Sequence, residues 1–564
     1  MSVQRPAATA WAPLDGLRVL DASRFVAGPF AARVLGMLGA RVTRLEPVGG
    51  DPLLELRDAP ADAARCAYDH VNAGKDIRVV RDVSAAVRRA VAVGAADVLV
   101  LDRTPAEQGR DGLVLAELRT RAPDLVVGSI TGYGLTGPHA DRAWTSLTAY
   151  HAGSEAATLP GPYLYRRFPD RPPVRAGRLL AEHDAGLTTA LGVVAALVRR
   201  ETSGRGDIVE VAAQEVELGL NRTTVSRGLN EGRDYDRTYQ GYGWQGTLRA
   251  SDGWVCLRPN EDRHWRAFAA EIGRPELATD PRFASYEARF EHGEELQAEL
   301  ETWTTTVDRA RIREAMSVAG VPGAPYLEPH EILTDPVIAT RDVFERTPAG
   351  GRTPRLPLRL ARRGPVHRAG DAGDGTPTGL VTRLAAAADG EGPLAGLRVV
   401  DLTWVASGPY ATLLLRTLGA EVFKVEAPDR PDLFRRSHGS DADPDTGLRF
   451  VDLNQGKRSL ALDLKDPVGR AAFERVVATC DVLVENFRVG VRENLGFGDE
   501  ALWAINPDLA TVSLSGFGSS ASDRHRPGYA SVFSAEGGIS AMTGYPDAAP
   551  TDVRDSNDLR GGTA

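Results

Sequence analysis

Short apolar runs of β-strand character alternate with longer segments of helical character near both ends of the chain. Residues 17–22 read LRVLDA, and a Gly-Pro pair and a helical segment ending in Leu-Gly-Ala separate them from a second run, RVTRLE, at 41–46. Proline is favoured in the first turn of a helix and glycine after its last turn, so this spacing predicts strand, helix and strand. Such alternation predicts an α/β fold with a doubly wound, Rossmann-like parallel sheet.

The same pattern occurs again 380 residues further along the chain. The segment LDGLRVLDASRFVAGPFAARVLGMLGARVTRLE begins at Leu14 and LAGLRVVDLTWVASGPYATLLLRTLGAEVFKVE begins at Leu394, with 15 of 33 positions identical. Roughly two identities would be expected by chance from average residue usage. Segments of the form Asn-x-Gly-Lys, Asp-Val-Leu-Val and Ser-x-x-Gly-x-Gly continue the similarity. The sequence therefore predicts two copies of one α/β domain.

The pattern divides the chain into four segments. A first large domain is predicted over 14–246, and a smaller α+β domain, with DGWVCL as one strand, over 247–347. The stretch 361–392 is rich in Gly, Ala and Asp and lacks an apolar period, which is typical of a linker. The second large domain covers 393–564 and stops where the first copy begins a helix of small residues, so we expect a longer native sequence.

Composition and charge narrow the class of protein. Hydrophobic residues make up 42% and charged residues 25% of the chain, which is typical of a soluble globular protein. The formal net charge of -9 gives no basic field for nucleic acid or an anionic membrane. Cys66, Cys256 and Cys480 form no Cys-x-x-Cys pair, and no apolar stretch reaches the roughly 18 residues of a membrane span. We expect a soluble cytoplasmic protein with no nucleic-acid or membrane partner.

An ordered set of motifs resembles a known family. The second copy contains LNQGKRSLALDLKD at 453–466, VLVENFRVGV at 482–491 and LSGFG at 514–518, and the first adds DGWVCL, DPRFAS, AGVPGAPY and ILTDPVIATRDVFE. With the repeated opening, these resemble the family III CoA transferases, a group that includes formyl-CoA, carnitine and benzylsuccinate CoA-transferases and α-methylacyl-CoA racemases. The resemblance implies transfer of CoA between an acyl-CoA thioester and a carboxylic acid. It implies CoA thioester as a substrate, with no permanently bound cofactor and no metal.

The resemblance also implies a nucleophile. In the transferases, an Asp shortly before a Gly and a small-residue helix forms an aspartyl anhydride and then an aspartyl-CoA thioester. Asp558, four residues before Gly562, is the first candidate, and Asp555 is the second because the DSN sequence there resembles formyl-CoA transferase. In the first copy the same spacing from Gly186 leads to Glu182, with Asp184 two residues later. The extra methylene of a Glu moves the carboxylate by more than about 1 Å, enough to slow an active site. Helix capping is the competing interpretation of such residues.

Three basic residues match positions that the family uses around CoA. Arg488, Lys457 and Arg458 carry the charges that suit phosphate groups. Solvated surface charge is the competing interpretation, most of all for Arg458. In the first copy Thr104 aligns with Arg488, which makes CoA binding by that copy doubtful.

A glycine-rich stretch and two further positions complete the prediction. Gly241, Gly243 and Gly246 correspond to a family loop that could cover the thioester and exclude water, although a plain flexible loop explains them equally well. Racemases of the family need a His beside the Asp, and the matching positions here are Tyr529 and Thr145. The sequence therefore disfavours racemisation of a 2-methylacyl-CoA.

Family members form interlocked dimers, so the resemblance implies either a homodimer or a pseudo-dimer within this duplicated chain. A different class of function also fits the departures in the first copy and the shorter second copy. In that interpretation the chain is a catalytically inactive partner that binds CoA esters or acts as a scaffold.

Overall fold

The computed structural model describes most of the chain. The described residues are 12–55, 61–174, 176–177, 179–232, 237, 244, 246–341, 343–346, 350–355, 357–359, 379–387, 391–435, 444–520, 524–551 and 556–564.

The first copy is a six-stranded parallel sheet with helices on both faces. The strand order is β3-β2-β1-β4-β5-β6, the usual order of a doubly wound dinucleotide-binding sheet. Its elements are β1 (Arg18–Asp21), α1 (Ala27–Met37), β2 (Arg41–Pro47), α2 (Ala61–Asn72), β3 (Asp76–Val80), α3 (Val83–Ala92), β4 (Val98–Leu101), α4 (Pro105–Asp111), α5 (Leu115–Arg121), β5 (Val126–Thr131), α6 (Ser146–Ala152), α7 (Pro162–Arg167), α8 (Leu180–Ser203), β6 (Ile208–Ala212), α9 (Ala213–Leu220) and α10 (Arg222–Glu231).

A smaller α+β region follows, with a three-stranded antiparallel sheet of order β7-β8-β9. Its helices surround a core that contains Trp265, Phe268 and Phe283. The elements up to the second copy are β7 (Gly246–Ala250), β8 (Gly253–Leu257), α11 (Asp262–Glu271), α12 (Tyr286–Glu291), α13 (Gly293–Thr304), α14 (Arg309–Ala319), β9 (Gly323–Pro325), α15 (Pro329–Ile332), α16 (Pro336–Ala339), β10 (Phe344–Arg346), β11 (Arg352–Pro354) and α17 (Gly379–Ala386).

The second copy repeats the parallel sheet with five strands in the order β14-β13-β12-β15-β16. Val399 at its centre pairs with Val422 and Val482, as Val19 pairs with Val42 and Val98 in the first copy. The predicted fold class, a doubly wound sheet present twice, is confirmed. Its elements are β12 (Arg398–Asp401), α18 (Ser407–Thr417), β13 (Glu421–Glu426), α19 (Leu448–Asn454), β14 (Arg458–Ala461), α20 (Pro467–Val477), β15 (Val482–Glu485), α21 (Val491–Asn494), α22 (Asp499–Ile505), β16 (Ala510–Ser513), α23 (Ala530–Glu536) and α24 (Ser556–Thr563).

The segment predicted as a linker contains a helix. Helix α17 lies inside 361–392 and packs against α8 of the first copy, and Arg383 of this helix pairs with Asp481 of the second copy. Alanine and leucine in LVTRLAA have high helix propensity, and docking on α8 stabilises a helix this short. The sequence pattern missed the helix because eight residues give too few turns to reveal a period.

The two copies interlock within one chain. The small sheet packs on α23 of the second copy, where Cys256 and Tyr326 share a buried cluster with Val532. The chain then returns to the first copy, where Thr353 of β11 is hydrogen-bonded to Arg33 in α1 at 2.9 Å. The small domain of the first copy therefore lies on the large domain of the second. No helix within the described ranges is long and apolar enough to cross a bilayer.

Candidate active site

Helix α8 packs on α1 in the first copy, and α24 packs on the corresponding helix, α18, in the second. A Cβ on Gly186 would lie 2.5 Å from the carbonyl oxygen of Ala27 in α1, and a Cβ on Gly562 would overlap the carbonyl oxygen of Ser407 in α18 in the same way. Residues 27 and 407 are related by the offset of 380. Glycine allows this close approach because it has no side chain. The two glycines therefore mark equivalent positions.

Asp558 and Glu182 are accordingly counterparts, each the third residue of its helix. Glu182 is buried, and its Oε1 accepts a hydrogen bond from the N–H of Ser146 at 2.9 Å. The carboxylate thus satisfies an N–H group in the first turn of α6 that has no partner within that helix. In the first copy this position has a structural use, whereas Asp558 lies half-buried at the boundary between the copies.

Tyr529, the N-cap residue of α23, shows which charged groups surround Asp558. Burial raises the pKa of Tyr529 above its ordinary value, the charges of Glu261 and Asp558 raise it further, and the charge of Arg488 opposes them. Effects of this kind weaken with distance, so Asp558, Arg488 and Glu261 each lie within electrostatic range of the Tyr529 hydroxyl.

Arg488 lies in the turn after β15, at the carboxyl edge of the second sheet. Its side chain is exposed, and no carboxylate of the described part of the chain lies within ion-pair distance of it. Asn486 fixes this turn, because its side-chain amide donates to the carbonyl oxygen of Trp404 at 2.8 Å and accepts from the Trp404 N–H at 2.7 Å. Open α/β sheets bind ligands at this edge, so Arg488 can meet an anionic group there.

The neighbouring loop between β12 and α18 is strained. Val405 has a φ of +68°, and its counterpart Phe25 in the first copy has a φ of +59°. A β-branched residue rarely adopts this conformation, and such strain persists where the surrounding structure holds the backbone for a purpose. The N–H of Val405 donates to Asp432 at 3.1 Å, which holds the loop in this conformation. Sequence patterns do not reveal this strain, because neither position is Gly or Asn.

The start of α11, in the small domain of the first copy, lies within electrostatic range of Arg488. At the start of α11, Glu261 and Arg263 form an ion pair of 2.6 Å. The hydrogen bond from Arg263 lowers the pKa of Glu261, and the charge of Arg488 contributes to the same direction. Burial lowers the pKa of the adjacent His264. No motif in the sequence indicated these residues, since only the interlocked packing brings α11 to the second copy.

Lys457 is enclosed within the second copy. Its ammonium lies close to four oxygen acceptors: Asp401 Oδ2 at 3.0 Å, the Pro409 carbonyl at 2.8 Å, Thr412 Oγ1 at 2.8 Å and Asn454 Oδ1 at 2.9 Å. Burial lowers the pKa of Lys457 to about 8 although the Asp401 charge raises it. An ammonium has three hydrogens, so the four acceptors leave none for a phosphate. This geometry favours a structural role over the predicted CoA contact.

The first copy repeats this arrangement, and Arg458 lies elsewhere. Lys75 donates to Asp21 Oδ2 at 2.8 Å, as Lys457 does to the corresponding Asp. Arg458 begins β14, is 69% exposed, and pairs at 2.8 Å with Glu421, the first residue of β13. Its guanidinium is therefore near the amino edge of the sheet, opposite the edge that carries Arg488. The structure does not bring Arg458 to Asp558.

At the carboxyl edge of the first sheet, the corresponding polar side chains bind one another. Thr104, the counterpart of Arg488, caps α4 in a capping box with Glu107. Arg24 binds both Asp102 at 3.3 Å and Glu107 at 3.0 Å. These groups satisfy each other, so the described residues of this edge offer no counterpart to the exposed cation of Arg488 in the second copy.

Four of the predicted residues contribute no observed contact to this region. Asp555, Gly241 and Gly243 lie outside the described residues. Gly246 begins β7, where a Cβ would collide with the ring of Trp244, so packing alone requires glycine there. Within the described ranges, no group of three or more His, Cys, Asp or Glu side chains could hold a metal ion.

Taken together, the doubled α/β sheet and the acidic residue at the intercopy boundary define a class of protein. A profile of CoA-transferase family III matches residues 14–370 and 394–557. The chain therefore belongs to CoA-transferase family III, as its motifs indicated, and CoA-transferase activity of that family is supported by its relatives.

Three comparisons describe the relatives. Succinyl-CoA–D-citramalate CoA-transferase of Chloroflexus aurantiacus is 32% identical over 349 residues, 60% of this chain and 84% of that protein. "Probable CoA-transferase Rv1866" of Mycobacterium tuberculosis is 27% identical over 565 residues, 93% of this chain and 67% of that protein. The crystal structure of a CAIB/BAIF family protein from Brucella suis matches with a TM-score of 0.55 and 28% identity, covering 62% of this chain and 93% of that chain.

Proposed function

We propose that this chain transfers CoA between an acyl-CoA thioester and a carboxylic acid with Asp558 as the nucleophile. The Asp558 carboxylate attacks the thioester carbonyl, the C–S bond breaks, and CoA thiolate leaves a mixed anhydride on Asp558. The thiolate then attacks the Asp558 carbonyl carbon, so that the donor acid departs as a carboxylate and an aspartyl-CoA thioester remains.

The acceptor acid reverses these steps. Its carboxylate attacks the aspartyl-CoA carbonyl and expels the thiolate, which gives a second anhydride. The thiolate then attacks the acyl carbonyl of the acceptor, which forms the new acyl-CoA and regenerates the Asp558 carboxylate. Every step exchanges a carboxylate for a thiolate or the reverse, so the cycle needs no oxidant and no net proton.

The observation that carries this proposal is the position of Asp558 in α24, four residues before Gly562, the residue at which this helix packs on the backbone of α18. Asp558 and Arg488 also both act electrostatically on Tyr529. A carboxylate is a weak nucleophile, so the reaction depends on holding it close to the thioester. Helix α24 approaches α18 closely at Gly562, where a Cβ would collide with backbone atoms of α18. Arg488, exposed at the carboxyl edge, suits a phosphate of CoA, for which guanidinium is a good ligand.

The names of the relatives support an acidic acceptor. Relatives from Chloroflexus aurantiacus and Acetobacter aceti are named for D-citramalate and oxalate, both small dicarboxylates. We propose an acceptor of this chemical class. The ion pair of Glu261 and Arg263, which is within electrostatic range of Arg488, supplies polar groups that distinguish acceptors. Gly241 and Gly243 remain a predicted cover for the reacting thioester.

Isotope exchange between a thioester and its own acid tests the reaction whichever acid is the natural acceptor. The 564-residue chain is incubated with succinyl-CoA and ¹³C-labelled succinate, and in parallel with acetyl-CoA and ¹³C-labelled acetate, and the label in the thioester is measured by mass spectrometry. We expect label to enter at least one thioester. A hydroxylamine-sensitive acyl or CoA adduct is expected on the peptide that contains Asp558.

Paired variants assign the nucleophile. Asp558→Asn is expected to slow exchange at least about 1000-fold, as loss of a covalent nucleophile does in other enzymes. Asp555→Asn, three residues away, is the matched control and is expected to keep the exchange rate within about twofold. Exchange that survives Asp558→Asn, or an adduct located on Asp555 or Glu182, would disprove the assignment.

A further inference from the structure

A largely buried arginine joins the helix of Asp558 to the first copy. Arg560 follows Asp558 by two positions in α24, and its guanidinium is enclosed by three acids of the first copy, which we call the acidic cluster. Arg560 Nε lies 2.8 Å from Asp184 Oδ2, and Nη2 lies 3.1 Å from Glu155 Oε2 and 3.7 Å from Glu217 Oε2. A buried guanidinium between carboxylates is held strongly, because removing either partner leaves an uncompensated charge.

Arg560 and Asp558 lie on opposite sides of α24. Residues two apart point in nearly opposite directions around an α-helix, so Arg560 anchors the side of α24 that faces away from Asp558. Helix α24 has eight residues, too few for a stable isolated helix. Its orientation therefore depends on contacts such as Gly562 against α18 and Arg560 against the acidic cluster.

The two copies carry opposite charges at this position. Asp184 follows Glu182 by two residues, as Arg560 follows Asp558. Equivalent positions of the two copies thus meet each other across the boundary as an ion pair. Two identical copies would place like charges there. The first copy therefore supplies a partner that a second copy could not supply to itself.

Burial favours the protonated form of one acid in the cluster, Glu217. Burial raises the pKa of Glu217 to about 11, and the charges of Glu155 and Asp184 raise it in the same direction. Burial and the neighbouring charges thus favour the neutral form of Glu217. Of the three acids in the cluster, Asp184 and Glu155 lie within hydrogen-bond distance of the Arg560 guanidinium.

We propose that Arg560 is a positioning residue, through which the acidic cluster of the first copy orients Asp558 for attack on the thioester. This rests on the proposed function of Asp558. It assigns the first copy a part in the reaction although Glu182 and Thr104 are engaged in capping.

The test uses Arg560→Met, Arg560→Lys and Asp184→Asn in the full chain. Asp547→Asn is the matched control, because Asp547 also pairs across the copies, at 2.6 Å with Arg171, but at an exposed site. Rates are measured by exchange of the labelled acid into its thioester, with whichever of the succinyl-CoA and acetyl-CoA pairs the wild-type chain labels, and amide hydrogen exchange is measured on peptides of α24. We expect Arg560→Met and Asp184→Asn to lower kcat about 100-fold, as a displacement of about 1 Å does.

The separate effects on kcat and KM distinguish a positioning role of Arg560 from a general loss of structure. KM for that thioester is expected to stay within about threefold, because Arg560 does not contact the substrate, and Arg560→Lys is expected to restore at least about tenfold of the lost kcat. Amides of α24 are expected to exchange faster in Arg560→Met and unchanged in Asp547→Asn.

Wild-type kcat in both Arg560→Met and Asp184→Asn would overturn the proposal, and so would unchanged α24 amides in these variants. If the wild-type chain shows no exchange of label, the proposed function fails. The amide measurement then still decides the anchoring of α24 by itself.

Discussion

Substituting Gly562 by alanine tests how closely the Asp558 helix must pack. The new Cβ would lie about 1 Å inside the ordinary contact distance of the Ser407 carbonyl oxygen and 3.1 Å from the Ala411 nitrogen. Both are backbone atoms of α18, which cannot rotate away as a side chain can. Helix α24 must therefore withdraw by about 1 Å, and overpacking of this kind costs about 1–3 kcal/mol.

The adjacent Gly561 provides the matched control. A Cβ at Gly561 meets no atom within 4 Å, and alanine in a helix is favoured over glycine by about 1 kcal/mol. We therefore expect Gly561→Ala to leave Tm equal or slightly higher and Gly562→Ala to lower it. A shift of about 1 Å at Asp558 should lower kcat about 100-fold in Gly562→Ala alone.

The assay is exchange of labelled succinate into succinyl-CoA, with thermal unfolding followed by circular dichroism on the same samples. Gly562→Ala is compared with Gly561→Ala, so that any general effect of alanine in α24 cancels. If the two variants have the same kcat and the same Tm, close packing of α24 on α18 does not position Asp558, and the reasoning is wrong.

Three further predictions concern the second copy. Arg488→Ala should raise KM for the CoA thioester about tenfold, through loss of a phosphate contact, with Tm unchanged; an unchanged KM would contradict this. In denaturant unfolding, Lys457→Met should destabilise the protein by about 3 kcal/mol, because Asp401 loses a buried partner. The control Lys465→Met, at an exposed site, should unfold like the wild type. Burial raises the pKa of Asp401, but Lys424 and Lys457 lower it to about 2. Its stabilisation is therefore complete above about pH 4 and lost as pH falls towards 2, so the gap between wild type and Asp401→Asn in denaturant unfolding should shrink by about 2 kcal/mol over that range; a constant gap would refute it.

The fold could be predicted because the strands are short apolar runs that repeat at one offset. Parallel strands buried on both faces give such runs wherever they occur, and the LRVLDA and LRVVDL segments became the central strands of the two sheets. The position of Asp558 relative to Gly562 could also be predicted, since both lie on one helix. Patterns of this kind are visible in the sequence because they involve residues that are close together along the chain.

The surroundings of Asp558 could not be predicted. Glu261 and Tyr529 are far apart in sequence, and they come within electrostatic range of each other only because the small domain lies on the other copy. Lys457 matched a ligand position by type, yet its long side chain turns inward to Asp401. Charge and sequence spacing do not reveal whether an ammonium faces solvent or the core, because both orientations use the same residue.

The interlocked packing has a consequence for synthesis on the ribosome. The face of the small sheet that contains Tyr326 leaves the ribosome before Val532, the residue that covers it. The intervening chain is about 200 residues, which takes roughly 10–40 s at ordinary translation rates. During that interval an apolar surface of the nascent chain is exposed to water and to other nascent chains. Chaperone demand should therefore be greatest between completion of β9 and emergence of α23.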